Sequence, residues 1–141
     1  MRYEVGIAIQ TGWIVWINGP YRAGVPDLVI FRHRLRQRLL LAKERVEADG
    51  GYGGEPKVVD TPHEMTLGSK KQARAKGIVR SRNETCNKRF KQFNCLNQTF
   101  RHNVKLHKEV FYAIAVLTQL SIERGGSPLF AVKYRTKRAP R

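Results

Sequence analysis

Tyr3, Val5, Ile7 and Ile9 alternate with Arg2, Glu4, Gly6 and Ala8, the period of a strand with one apolar face. Gln10-Thr11-Gly12 breaks the pattern as a turn, and Trp13-Ile14-Val15-Trp16-Ile17 follows as a second strand. That strand is apolar on both faces, which predicts cover on each side and a β-hairpin at the start of a helix-flanked sheet. Asn18 to Pro26 reads as a loop from its Gly and Pro content. Asp27 then stands where a helix cap belongs. Leu28, Phe31, Leu35 and Leu39 recur at helical spacing, with Arg32, Arg34, Arg36 and Arg38 between them on a solvated face. A short strand is expected to end at Asp49, and a short apolar piece falls at Val58-Val59.

From Ser69 to Lys91 the pattern predicts a long helical stretch, with Gly77 as a point where it divides in two. Val79, Cys86, Phe90 and Phe93 share one face as core, and Glu84, Asn87 and Lys91 form a polar stripe beside it. The last helix is expected over 104–124 and to be largely buried, being apolar over most of its circumference at Val110, Phe111, Ile114, Leu117 and Leu120. Gly125-Gly126 should stop it. An edge strand at 127–132 and a basic tail at 133–141 complete the chain, giving one domain over 1–132.

Composition turns this outline toward a partner. A length of 141 residues with 41% hydrophobic positions suits one globular core, while 27 Lys and Arg oppose 11 Asp and Glu for a net charge of +16. Such an excess repels itself and calls for a polyanion, most often nucleic acid. A membrane surface fits less well, because no segment joins a clean apolar face to a basic one, and no apolar run has the length of a span. Met1-Arg2-Tyr3-Glu4 leads straight into a strand pattern, so no signal peptide is expected. Two cysteines are too few for a disulfide scaffold, and Cys86 and Cys95 read as reduced core residues of an intracellular protein.

Two places hold candidate chemistry. Asp49 precedes Gly50-Gly51, where the backbone can turn sharply. It is either simple turn chemistry or a carboxylate fixed at a strand end to hold a cation. Glu84 is the one acid among nine Lys and Arg between Ser69 and Lys91. It either relieves repulsion through pairs with Arg80 and Lys88 or ligates a metal whose basic neighbours hold phosphates. The basic residues expected to meet DNA are Lys70, Lys71, Arg74, Lys76, Arg80, Arg82, Lys88 and Lys91. No phosphate-binding Gly-Lys-Ser/Thr loop and no nucleophile elbow is present. Cys86, Cys95, His102 and His107 are spaced too loosely for a zinc finger. The two His residues read as packing or phosphate contacts, and Trp13 and Trp16 as structural.

Taken in order, Tyr3-Glu4-Val5-Gly6, Trp13 to Pro20, Pro26 to Arg32, Ala48-Asp49-Gly50-Gly51-Tyr52 and Asn83 to Phe93 resemble the DDE superfamily endonuclease domain of Harbinger-like transposases and genes derived from them. Phe100-Arg101-His102 through Val110-Phe111 to Thr118-Gln119 is similar to the family's C-terminal part. The resemblance implies a ribonuclease-H-like α/β fold, a mixed sheet flanked by helices. It also implies three carboxylates holding two Mg²⁺ or Mn²⁺ ions, which would activate water or a DNA 3′-hydroxyl. Asp49 matches the second carboxylate and Glu84 the third. Asp27 resembles a recurring position outside the metal-binding three, and Asn87 lies beside the Glu84 stripe. The family's first Asp lies on a central strand ahead of the hairpin, and no acid here occupies a comparable place. The resemblance therefore implies a partial, N-terminally truncated domain, inactive alone and binding at most one ion weakly. DNA is the implied substrate and the nucleus the implied location. A separate DNA-binding protein would supply sequence recognition. The alternatives are a non-catalytic basic nucleic-acid-binding protein and an interaction subunit.

Overall fold

In the computed structural model, residues 1–62 and 70–124 are described. The expected edge strand at 127–132, the Gly125-Gly126 stop and the basic tail lie outside them. Strands β1 (Arg2–Ile7) and β2 (Ile14–Tyr21) form an antiparallel hairpin. Helices α1 (Asp27–His33) and α2 (Leu35–Ala42) follow, then β3 (Val46–Glu47) and β4 (Val59–Asp60), which pair in parallel. Helices α3 (Lys70–Lys91), α4 (Asn94–Asn97) and α5 (His107–Glu123) complete the described chain. The architecture is mixed α/β, with two two-stranded sheets among the described residues rather than one broad sheet.

The hairpin departs from its expected form at two irregularities. Gly6 faces Trp16 while Ile7 faces Ile14, so Val15 is an extra residue bulged out of the ladder and is 63% exposed. The bulge resets the alternation. Ile14 and Ile17 can then both join Tyr3, Val5 and Ile7 against α3 and α5. The strand is thus not covered on both sides at every apolar position. The ladder also runs on through Asn18, Gly19 and Pro20, where a loop was expected. Gly19 makes this possible at φ 143°, and a Cβ there would lie 2.7 Å from the Tyr3 ring and 2.9 Å from the Arg2 carbonyl oxygen.

The expected helix over Leu28–Leu39 is two helices, broken at Arg34 (φ −141°, ψ −54°). Asp27 is not the cap: Pro26 takes that position and Asp27 is the first helical residue. Lys43, in the left-handed conformation, closes α2 by donating to the Leu39 and Leu40 carbonyls. Gly77 does not divide α3, which passes through it unbroken, because a helical glycine costs too little to interrupt a helix anchored on both sides.

Two buried clusters hold the elements. Phe31, Leu39, Ala48, Val58 and Val59 join α1 and α2 to β3 and β4. Cys86, Phe90, Phe111, Ile114 and Ala115 join α3 and α5 to the hairpin. The expected core face of α3 is thereby observed, with Val79, Cys86 and Phe90 buried and Phe93 packed against the cluster. Helix α5 starts at His107 after a 3-10 turn over Val104–Leu106, and it is less buried than expected. Val116, Leu117 and Leu120 face outward, because the buried stripe of the helix runs through Phe111, Ile114, Ala115, Thr118 and Ile122. Cys95 is exposed on α4, not a core residue. No helix of the described residues is long and apolar enough to cross a membrane.

Candidate active site

Strand β3 ends at Glu47, buried Ala48 follows, and Asp49 opens a 3-10 turn over Gly50–Tyr52. Asp49 therefore stands two residues beyond the strand rather than on its last position. Its Oδ1 accepts from the Gly51 N–H at 3.0 Å, which fixes the exposed carboxylate against the turn.

The side chain brought beside it is Asp27. A Cβ on Gly51 would lie 3.2 Å from Asp49 Oδ1 and 3.3 Å from Asp27 Oδ2, so the two carboxylates flank one bare backbone position. Asp27 turns its other oxygen to Arg2, whose Nη1 donates at 3.1 Å and also reaches the Val25 carbonyl at 2.7 Å. Tyr52 stacks edge-on against Phe31 beneath this group. Burial raises its hydroxyl pKa, the negative charges of Glu4, Asp27 and Asp49 raise it further, and Arg2 opposes them.

Glu4 completes the cluster from β1. It is 5% exposed, with Oε2 accepting from Trp16 Nε1 at 2.8 Å and from Asn18 Nδ2 at 3.5 Å, while buried Oε1 has no hydrogen-bond partner among the described residues. Burial pushes its carboxyl pKa up, the two donors pull it down, and Asp27 adds to the rise. Sequence reading passed over Glu4 and Arg2. An acid on a strand opposite Asn18 was the available signal, since Glu4 and Asn18 face each other in the ladder.

Glu84 lies exposed on α3, and among the described residues it has no hydrogen-bond or ion-pair partner. The expected pairs with Arg80 and Lys88 do not form. Arg80 instead donates to Glu47 Oε2 at 3.4 Å, and Lys76 reaches Glu47 Oε1 at 2.8 Å and Asp60 Oδ2 at 3.3 Å. Asp60 also takes the Arg45 guanidinium; burial opposes its charge, yet Arg45 and Lys76 hold its carboxyl below the usual range. Arg82 is 5% exposed and donates to the Ile9 carbonyl. Lys76, Arg80 and Arg82 thus tie α3 to the two sheets. Arg74, Lys88 and Lys91 are exposed, as is Asn87, while the side chains of Lys70 and Lys71 lie outside the described residues. His107 Nδ1 pairs with the Tyr3 hydroxyl at 2.8 Å, a packing role.

Among the described residues no group of three or more His, Cys, Asp or Glu converges as a metal site. Asp27 and Asp49 are a two-carboxylate set beside a guanidinium. That set is too small for two divalent ions.

No curated protein and no solved structure matches the chain. The family model of the DDE superfamily endonuclease matches residues 2–119, which spans the hairpin, the Asp49 turn, α3 and most of α5. This chain belongs to the DDE superfamily endonuclease family.

Proposed function

We propose that the chain is a transposase-derived DNA phosphoryl-transfer domain that engages the DNA backbone but does not cut DNA by itself. Family membership over residues 2–119 is the observation that carries this reading, and the net charge of +16 supports a polyanionic substrate. Asp49 and Glu84 are its two family-type carboxylates, and Asn87 belongs to the same face of α3 as Glu84. A divalent metal ion held there, Mg²⁺ or Mn²⁺, would activate the attacking oxygen of water or of a DNA 3′-hydroxyl. Two carboxylates give too little negative charge to hold two such ions close together, so cleavage needs a further donor. Sequence recognition would come from a separate DNA-binding protein, and in a nucleated cell the chain would work in the nucleus.

The test uses purified chain, a supercoiled plasmid and Mn²⁺ or Mg²⁺. Retarded plasmid with no nicked product is the expected outcome. Nicking that disappears in both Asp49→Ala and Glu84→Gln would establish a competent enzyme and overturn the second half of the proposal. Failure to retard the plasmid at low salt would overturn the first.

A further inference from the structure

We propose that the outward face of α5 is a homodimer interface, on which a second copy of this chain packs its own α5 antiparallel. Glu109, Ala113, Val116, Leu120 and Arg124 recur every three or four residues, so they share one side of the helix, with Leu117 beside them. That side lies opposite the stripe that meets the core. Val116, Leu117 and Leu120 are each between 42% and 59% exposed on it. Single exposed aliphatic residues are ordinary, but three that adjoin on one regular helix mark a surface that another body covers.

The charge of the helix narrows what that body is. Helix α5 holds one Lys and two Glu in its 17 residues, whereas nine Lys and Arg stand between Ser69 and Lys91. Neither nucleic acid nor an anionic membrane surface finds a row of cations here. A second copy carrying its own net charge of +16 meets a side that the basic excess has spared.

The face is also complementary to itself. In an antiparallel pair with its twofold axis between Val116 and Leu117, Val116 meets Leu117 of the second copy and Leu120 meets Ala113. Large opposite small lets the helix axes approach to the roughly 8–10 Å of packed helices. The same register sets Glu109, in the first turn of α5, against Arg124 of the second copy, just past the last turn. Twofold symmetry makes that contact twice. Neither Glu109 nor Arg124 forms an ion pair among the described residues. A parallel pair would instead set Glu109 against Glu109 and Arg124 against Arg124, so charge selects the antiparallel arrangement. A helix of this length spans about 25 Å. One such pair covers less than the roughly 1,200–2,000 Å² of a standard stable interface, so the association is weak and depends on concentration.

Sedimentation of the full chain over a concentration series measures it, in about 0.15 M salt so that repulsion between the two chains is screened beyond about 8 Å. The parent should pass from monomer to dimer as concentration rises, and Leu120→Glu should remain monomeric throughout. Glu109→Arg and Arg124→Glu should each weaken self-association about tenfold, because each turns two attractive contacts repulsive. An equimolar mixture of those two variants should recover the parental association, since both contacts of the mixed dimer again set Arg against Glu. The mixture also separates the interface from helix stability. Both substitutions oppose the α5 dipole, and mixing two weakened helices would not restore either. A parent that stays monomeric at every concentration overturns the proposal and leaves the face to another occupant, the chain's own residues 125–141 or a different protein. A dimer that persists in Leu120→Glu overturns it as well. So does a mixture that associates no better than its components, because the antiparallel register requires the recovery.

Discussion

Glu4 carries a carboxylate where water scarcely reaches it, with two donors on one oxygen and, among the described residues, none on the other. Burial raises its pKa above that of an ordinary glutamate. The folded chain therefore holds the proton more tightly than the unfolded chain does. The sign follows from linkage: the group favours the fold below the ordinary Glu range, and that contribution is lost as pH rises through the raised folded value. Glu4→Gln keeps an oxygen for Trp16 and Asn18, removes the buried charge, and turns an amide donor toward acidic neighbours. We expect the variant to be more stable than the parent by about 1 kcal/mol at pH 7, and by clearly less near pH 4. Urea denaturation at both pH values measures the difference. A gap independent of pH would show that ionisation of Glu4 is not its source.

At the scale of elements, α3 shows what a sequence pattern reveals and what it hides. Val79, Cys86, Phe90 and Phe93 recur at helical spacing, and that face is buried or packed because burying apolar area outweighs local preferences. The bulge at Val15 left no comparable mark, since bulging depends on which residue of β1 stands opposite. Asp49 was legible as a carboxylate at a turn, but its neighbour was not. Asp27 lies 22 positions earlier in the chain, and only the packing of α1 beneath the turn brings it to Gly51. Basic residues were equally ambiguous, because Lys76 and Arg80 look like Arg74 in sequence, yet they turn toward Glu47. Gly77 is the one breaker signal that α3 ignores. A Cβ built there meets nothing within 4 Å, and the residue lies inside a regular helix. Gly77→Ala should therefore stabilise the protein by about 0.5–1 kcal/mol, through the entropy that glycine loses on folding. Thermal denaturation reads this directly, and a lower midpoint would mean that α3 uses the freedom of glycine at Gly77.

For the whole molecule, the net charge of +16 divides into cations that face solvent and cations committed to the fold. Arg74, Lys88 and Lys91 are exposed on α3 and free to meet phosphate. Lys76 and Arg80 are tied to Glu47, whose side chain is 3% exposed, so replacing them would strip two cations from a buried acid. The two sets should fail differently. Binding to duplex DNA of any sequence should weaken with salt, with a logarithmic slope of roughly −0.9 per phosphate neutralised. Replacing Arg74, Lys88 and Lys91 with Ala should make that slope shallower by about 3 and weaken all sequences alike, with little change in unfolding midpoint. Replacing Lys76 and Arg80 with Ala should instead lower stability by about 3 kcal/mol or more, the scale for breaking a buried ion pair. It should leave the salt slope of the folded fraction nearly unchanged. Fluorescence anisotropy across a salt series, paired with urea denaturation of each variant, separates the two effects. An equal loss of slope from both sets would place Lys76 and Arg80 on the DNA after all. It would also mean that their contacts with Glu47 open when DNA binds.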